Sequence, residues 1–284
     1  MIPAAFEYHR PADIASAISL LTELGDDARA IAGGHSLLPM MKLRMASVEH
    51  LIDLQDIGEL RGIAVEGGRI SIGAMVTQND LIENAALAAS APILREAALQ
   101  IADPQVRYLG TLGGNVANGD PGNDMPGLMQ CLDATFTLVG PDGTRDVAAR
   151  DFYEAAYMTE REDDELLTRV SFDSPSGGYA YEKQKRKIGD YATAACAVQI
   201  TREGATCAGA AIAMTNLSDV PVFSEAAGAA LAGTACDPEA VKAAVAAALS
   251  EIDPTEDNRG PIEFKRHVAG IVIGRAIDRA WSRA

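Results

Sequence analysis

Two pairs of adjacent glycines, each set among polar residues, constrain this chain more strongly than any other feature of its sequence. The first pair lies in residues 32–36 (AGGHS), directly after a short apolar run, and the second lies in residues 111–115 (TLGGN). Adjacent glycines let the backbone approach a ligand and turn its N–H groups inward, which suits an anion such as a diphosphate. An isolated glycine pair is more often a tight turn. Two such pairs with polar neighbours make a nucleotide-type ligand an equally good interpretation.

The common nucleotide-binding and nucleophile motifs are missing from the sequence. None of the 26 glycines is separated from the next by a single residue, which excludes the G-x-G-x-x-G dinucleotide fingerprint. No glycine precedes a lysine, so there is no Walker A loop, and no G-x-S-x-G elbow occurs. A nucleotide held by this chain therefore needs a different kind of loop.

The acidic balance of the chain excludes other classes of protein. Its 284 residues carry a formal net charge of −16, so the protein's own field opposes binding to nucleic acid phosphates. The apolar runs are far shorter than the roughly 20 residues of a membrane span, and the first residues do not form an export signal. The length allows about two domains. We therefore expect a cytoplasmic protein with no nucleic acid partner.

The cysteines and histidines do not form local metal-binding motifs. The sequence contains no C-x-x-C and no H-x-x-x-H arrangement. Scattered cysteines in a chain of this length are typical of reduced, buried thiols in a cytoplasmic protein. We therefore expect no metal site within this chain. The residues concerned are Cys131, Cys196, Cys207, Cys236, His9, His35, His50 and His267.

Apolar periodicity predicts helices and strands without a regular βαβ alternation, which favours an α+β fold over a doubly wound sheet. Glycine and proline turn signals predict two hairpins, and residues 174–178 (SPSGG) are the best linker candidate. The helices are predicted over residues 11–25, 92–102, 127–132, 224–231, 238–252 and 261–281. The strands are predicted over residues 30–32, 50–57, 63–66, 69–73, 134–139, 144–147, 179–185, 194–201 and 205–215.

Candidate acid–base groups are few. Asp120 lies in a Gly/Pro/Asn-rich segment, where aspartate most often makes turn hydrogen bonds. Asp124 is better placed to bind a ligand hydroxyl, because a helix is predicted just after it. His35 follows the first glycine pair, but a lone histidine is weak evidence for catalysis. The basic residues 183–187 (KQKRK) form either a solvated strand face or a docking or cofactor-edge patch.

Three longer segments resemble the FAD-binding medium subunits of the molybdenum hydroxylases, the xanthine dehydrogenase family. They are residues 32–44 (AGGHSLLPMMKLR), 101–126 (IADPQVRYLGTLGGNVANGDPGNDMP) and 181–195 (YEKQKRKIGDYATAA). The resemblance covers essentially the whole chain. The third segment and His35 favour the carbon monoxide dehydrogenase branch, and Leu112 stands where isoleucine is usual, which is a conservative change.

The resemblance implies a two-subdomain FAD-binding region of the PCMH type, followed by a C-terminal antiparallel sheet with helices. On this basis residues 1–175 are the FAD-binding domain, divided into subdomains of about 1–57 and 58–175. Residues 178–284 are the C-terminal domain.

The resemblance also implies where FAD makes its contacts. The diphosphate would lie against both glycine loops, and Asp124 would help to hold the flavin nucleotide. The backbone at Leu166 and Leu167 would contact the adenine side, Tyr191 would lie against the isoalloxazine, and Lys185 would lie near the flavin. The predicted cofactor-binding residues are Ala32, Gly33, Gly34, His35, Ser36, Thr111, Leu112, Gly113, Gly114, Asn115, Asp124, Leu166, Leu167, Lys185 and Tyr191. No catalytic residue and no metal ligand is predicted.

The implied role is electron transfer in a heterotrimer, expected as a dimer of heterotrimers. A large subunit would hold the molybdenum cofactor, a small subunit would hold [2Fe-2S] clusters, and a quinone or membrane partner at the inner face of the cytoplasmic membrane would accept the electrons. Three alternatives stay open at this point. They are the medium subunit of a hydroxylase for an aldehyde, a purine or an N-heterocycle, a non-catalytic nucleotide-binding protein, and a self-contained flavin oxidase.

Overall fold

The N-terminal part of the chain is a small parallel sheet with one helix packed on it. The computed structural model describes residues 2–284. The sheet has the order β1-β3-β2, and both strand pairs are parallel. Helix α1 begins where the Asp13 carboxylate accepts the Ser16 N–H, and it ends at Gly25, whose φ of 54° is in the left-handed region. The elements are β1 (Glu7–His9), α1 (Ile14–Leu24), β2 (Ala28–Ile31), α2 (Leu37–Lys42) and β3 (His50–Asp53).

A five-stranded antiparallel sheet follows, with the order β4-β5-β10-β6-β7. The turn between its first two strands uses Gly67 and Gly68 with φ of 58° and 80°, as a two-residue hairpin requires. Its strands are β4 (Ile63–Glu66), β5 (Arg69–Gly73), β6 (Thr135–Gly140), β7 (Gly143–Ala148) and β10 (Leu166–Asp173), and a separate hairpin comprises β8 (Tyr153–Ala155) and β9 (Met158–Thr159). The helices between β5 and β6 are α3 (Gln78–Glu83), α4 (Ala85–Ser90), α5 (Pro92–Ala98), α6 (Pro104–Arg107), α7 (Leu112–Ala117) and α8 (Asp124–Cys131).

The C-terminal part is a four-stranded antiparallel sheet, β11-β12-β13-β14, with three helices on one face. Alternate residues of each strand face opposite sides, so Ala180 and Cys196 pack with the C-terminal helices while Tyr181 and Ala195 pack toward α8. The elements are β11 (Gly178–Gln184), β12 (Ala194–Glu203), β13 (Thr206–Thr215), β14 (Val222–Phe223), α9 (Glu225–Leu231), α10 (Pro238–Glu251) and α11 (Ile262–Trp281).

Helix α8 lies between this sheet and the central core, and all eight of its residues are buried. It approaches β13 so closely that a Cβ on Gly127 would lie 2.3 Å from Thr215 Oγ1. The Asn115 side-chain oxygen accepts the Met125 N–H at 3.1 Å and fixes the start of the helix. As a result Asp124, the first helical residue, is held rigidly at the N-terminal end of α8.

The predicted α+β fold class is confirmed by this architecture. The predicted glycine hairpin, the three long C-terminal strands and the C-terminal helices are confirmed as well. The helix predicted over 92–102 ends at Ala98, and the helix predicted over 127–132 begins earlier, at Asp124, and ends at Cys131. The sequence does not predict strands β1, β8, β9, β10 and β14 or helices α3, α4, α6 and α7. Within residues 2–284 no helix is long and apolar enough to cross a membrane.

Candidate functional site

A cleft with a volume of about 500 Å³ lies where the parallel sheet, helices α7 and α8, and strands β10 and β11 meet. This volume is within the range of small-molecule sites. Thirteen of the fifteen predicted cofactor-binding residues line the cleft, and Leu112 and Lys185 do not. The Leu112 side chain is fully buried in the core instead. The residues that line it are Ala32, Gly33, Gly34, His35, Ser36, Thr111, Gly113, Gly114, Asn115, Asp124, Leu166, Leu167 and Tyr191.

The first glycine loop presents unpaired backbone N–H groups. Between Gly33 and Leu37 these groups have no acceptor in the part of the chain that the structure describes. Gly34 has a φ of 72°, which reverses the chain direction just before α2 begins. Successive N–H groups around such a turn form a concave anion-binding surface. The loop can therefore bind a diphosphate without any basic side chain.

The second glycine loop uses its backbone differently. The N–H of Leu112 donates to Val76 O at 2.8 Å, and that of Gly113 donates to Ala74 O at 2.9 Å. The Gly114 N–H donates to the Thr111 hydroxyl at 3.0 Å. The expectation that both loops turn their N–H groups toward a ligand is therefore wrong for this part of the second loop, because its amides hold the loop to the protein.

The glycines also bring the two regions into contact. A Cβ on Gly33 would lie 2.1 Å from Leu109 O and 2.8 Å from the Cα of Gly110. A Cβ on Gly113 would lie 2.4 Å from the Cβ of Ala74. These glycines are thus required for backbone packing at the floor of the cleft, in addition to any approach of a ligand.

A buried ion pair forms one wall of the cleft. Lys183 Nζ donates to Asp124 Oδ2 at 2.7 Å, and the two side chains are 1% and 5% exposed. The hydroxyl of fully buried Tyr181 donates to the other carboxylate oxygen at 2.5 Å. Burial and this carboxylate raise the pKa of Tyr181 well above its ordinary value, which keeps the phenol protonated as a donor.

The basic segment 183–187 is therefore not uniformly a solvated face. Lys183 lines the cleft, whereas Lys185 lies beyond the end of β11 and donates to Gln100 O at 3.1 Å. Burial and the neighbouring Lys183 ammonium lower the pKa of Lys185. The family resemblance predicts that Lys185 lies near the flavin, whereas Lys183, two residues earlier, is the lysine that lines the cleft.

Leu166 and Leu167 line the cleft at the start of β10, where both are buried. The pairing of β10 with β6 shifts register just after Leu167. Glu165, beside them, is held by Arg145 in two hydrogen bonds of 2.7 Å. Those bonds lower the pKa of Glu165 below its ordinary value.

Acid is expected to weaken this part of the cleft through Glu165. Because the folded-state pKa lies below the ordinary 4.5, the pair stabilises the fold above that pH and loses its effect as the pH falls through the folded value. The thermal midpoints of the protein and of Glu165→Gln should therefore differ at pH 7 and converge on acidification. An equal difference at pH 7 and pH 3 would contradict this expectation.

Tyr191 also lines the cleft, with 41% of its surface exposed. Its ring contacts Gly122, where a Cβ would lie 2.7 Å from the ring, and Arg259 Cζ is 5.4 Å from the ring centroid. Burial of the ring and the carboxylate of Asp120 raise the pKa of Tyr191. The tyrosine is therefore a neutral, fixed aromatic surface beside the cleft.

Two lining residues, Gln78 and Arg161, were not singled out from the sequence, and a third, Lys183, was singled out only as part of the basic segment 183–187. Gln78 is 2% exposed and its side-chain oxygen has no donor within residues 2–284. Arg161 lines the cleft and donates to Glu165 O at 2.9 Å. Lys183 is the third, and its inward orientation depends on where α8 packs. No local sequence signal distinguishes Gln78 and Arg161 from surface residues.

The fold and the cleft define a flavoprotein subunit of the molybdopterin dehydrogenase class. The chain belongs to this family, because the sequence pattern of the FAD binding domain in molybdopterin dehydrogenase matches residues 4–174. The pattern of the CO dehydrogenase flavoprotein C-terminal domain matches residues 179–280.

Individual proteins similar to the chain are related over its whole length. The carbon monoxide dehydrogenase medium chain of Afipia carboxidovorans is 56% identical over 286 residues, covering 100% of this chain and 99% of that one. A solved structure of reconstituted CO dehydrogenase from Oligotropha carboxidovorans matches with a TM-score of 0.99 at 56% identity, covering 100% of both chains. The glyceraldehyde dehydrogenase medium chain of Sulfolobus acidocaldarius is 32% identical, covering 97% of this chain and 98% of that one.

Proposed function

We propose that this chain is the FAD-carrying electron-transfer subunit of a carbon monoxide dehydrogenase of the molybdenum hydroxylase type. The overall reaction converts CO and water to CO2, two protons and two electrons. Full-length identity of 56% to a carbon monoxide dehydrogenase medium chain, against 32% to the glyceraldehyde dehydrogenase medium chain, supports this substrate. The observation that carries the proposal is the row of unpaired N–H groups in the first glycine loop, which lines the same cleft as Tyr191.

The residues of the cleft fit FAD. The unpaired N–H groups from Gly33 to Leu37 suit its diphosphate, and the Leu166–Leu167 segment offers an apolar surface for adenine. The exposed ring of Tyr191 suits the isoalloxazine, and the unpartnered oxygen of Gln78 can accept a hydrogen bond from the cofactor. When bound, FAD accepts electrons singly and releases them in pairs.

The residues of this chain position the cofactor and leave the substrate chemistry to partner subunits. The rigid N-terminal end of α8 and its ion pair fix the charge on one wall of the cleft. Tyr191, held by Gly122 and Arg259, would limit the access of water to a flavin bound in the cleft.

The proposal includes the assembly around this chain. A large subunit with the molybdenum cofactor and a small subunit with [2Fe-2S] clusters would complete a heterotrimer, two of which would form a dimer. A quinone or a membrane partner would accept the electrons, which places the complex in the cytoplasm or peripherally at the inner face of the cytoplasmic membrane. The division into domains at residues 1–175 and 178–284 belongs to the same proposal.

Native co-purification from the source cells tests the function directly. We expect about one FAD per chain, two partner subunits that carry iron and molybdenum, and dye reduction that depends on CO. A complex that contains flavin and molybdenum but oxidises an aldehyde, purine or N-heterocycle instead of CO would favour the first alternative. A chain without partners and without flavin would favour a non-catalytic nucleotide-binding protein.

Tyr191→Ala should leave the fold intact and change the visible spectrum of the bound flavin and its rate of reoxidation. The ring is 41% exposed, so its removal costs little core packing while it uncovers one face of the cofactor. Stopped-flow reoxidation and absorption spectra measure both effects. Tyr108→Ala, at an exposed tyrosine that does not line the cleft, is the control and should change neither. Unchanged spectra and rates in Tyr191→Ala would contradict the assignment of Tyr191 to the flavin site.

A further inference from the structure

We propose that Glu7, His9 and His50 form a binding site for one borderline divalent cation of the zinc type. One potential ligand atom from each side chain lies within 4.8 Å of the other two. The three residues lie on β1 and β3, and none of them lines the cleft. The site is therefore separate from the proposed flavin-binding machinery.

The spacing of the ligand atoms suits a tetrahedral ion. His9 Nε2 and His50 Nδ1 are 3.1 Å apart, and His50 Nδ1 is 3.5 Å from Glu7 Oε2. Zinc binds such atoms at about 2.0–2.2 Å, which places the ligands of a tetrahedral ion roughly 3.3–3.6 Å from each other. Two of the three distances between ligand atoms thus need shifts of only a few tenths of an ångström.

The strand register brings the ligands together. Glu7 on β1 pairs directly with His50 on β3, and His9 lies two residues after Glu7 on the same face of the sheet. The two histidines are half-buried, so they have less freedom to rotate away than exposed side chains. The backbone therefore positions all three donors before an ion arrives. His9 and His50 are 41 residues apart in the sequence, which explains why local spacing does not predict the site.

The donor types select the class of ion. Two imidazoles and one carboxylate suit zinc, copper or nickel better than magnesium or calcium, which prefer ligand sets made of oxygen atoms. The net charge of −16 favours the approach of any cation. A hydrogen bond between the two imidazoles would account for the 3.1 Å separation equally well, and a metal titration distinguishes the two interpretations.

The position of the site indicates what a bound ion would do. The short edge strand β1 pairs with β3, and Glu7 and His50 are the first residues of these strands while His9 is the last residue of β1. The glycine loop of the cleft follows the last residue of β2, at the opposite end of the same parallel sheet. An ion would therefore fasten β1 to β3 and stabilise the fold without changing the flavin spectrum.

The experiment uses the full chain with its flavin, treated with a chelator and then titrated with zinc chloride at pH 7.5. Equilibrium dialysis measures the bound zinc, and thermal unfolding measures its effect on stability. The variants are His9→Gln, His50→Gln and Glu7→Gln. The matched control is His267→Gln, which alters an exposed histidine on α11. Flavin content without zinc verifies that each variant is folded.

We expect one zinc per chain and a zinc-dependent rise in the thermal midpoint. His9→Gln and His50→Gln should each weaken binding by about 10- to 100-fold or more and abolish the rise, because loss of a direct ligand costs at least as much as loss of a neighbouring group. Should a histidine variant lose its flavin, Glu7→Gln decides, because Glu7 is exposed and its replacement leaves the packing unchanged. Zinc binding below one per chain, or equal binding by the control and the ligand variants, would overturn the proposal.

Discussion

Replacing Gly33 with valine will remove the flavin from the purified protein and lower its thermal unfolding midpoint by roughly 5–10 °C. A Cβ at this position would lie 2.1 Å from Leu109 O and 2.8 Å from the Cα of Gly110. Both are backbone atoms, so no change of rotamer can relieve the overlap. The first glycine loop must move away from this segment, and its unpaired N–H groups then no longer face the cleft.

The Cβ alone overlaps with the backbone at Leu109, so Gly33→Ala should lose most of its flavin as well. Gly62→Val is the control, because a Cβ there has no neighbour within 4 Å and its φ of −76° and ψ of 146° suit valine. Flavin content and thermal unfolding measure all three variants. Full flavin occupancy in Gly33→Val would contradict the assignment of this loop.

Local chemistry accounts for the elements that were predicted correctly. The hairpin of β4 and β5 was predicted with its observed bounds, because only a two-residue turn with positive φ at Gly67 and Gly68 connects its two apolar runs. The C-terminal helices carry their own start signals, such as Asp237 and Pro238 at the beginning of α10. These signals act within a few residues and need no tertiary partner.

The strands that were missed depend on distant partners. Strand β1 has three residues, too few for a periodic pattern, and it exists because it pairs with β3. Strand β10 is buried on both faces at most positions, and its register shifts after Leu167, so apolar and polar residues do not alternate along it. Neither property can be recognised from a short window of sequence.

The candidate site also combines features that the sequence predicts with features that depend on tertiary packing. The glycine pairs and the family resemblance located the cleft, but they did not identify the lysine on its wall. Lys183 lies within β11 and Lys185 lies just beyond its end, and the position of α8 makes Lys183 the partner of Asp124. Likewise, the N–H groups of Leu112 and Gly113 in the second glycine loop donate to the carbonyl oxygens of Val76 and Ala74, which are distant from the loop in the sequence.

Lys183→Met should lower the free energy of unfolding by about 3–5 kcal/mol, because it leaves the Asp124 carboxylate buried without its counter-ion. The two side chains are 1% and 5% exposed, so water cannot replace the lost partner. Asp124→Asn combined with Lys183→Met removes both charges and should be less destabilising than the sum of the single changes. Urea unfolding of the four proteins gives the coupling energy, and flavin content reports on the cleft.

The control for this cycle is Arg69→Met at the exposed Arg69–Asp173 pair, whose side chains are 54% and 85% exposed. Solvent screening limits such a pair to about 0–1 kcal/mol, so the control should stay close to the parent protein. A Lys183→Met cost as small as that of the control would mean that the cleft wall admits water and that the pair is not a fixed part of the site. Additive losses in the double variant would mean that Asp124 and Lys183 contribute independently to the stability of the fold. A large, non-additive loss accompanied by loss of flavin instead makes the pair one unit that holds α8 against β11 and thereby preserves the shape of the flavin cleft.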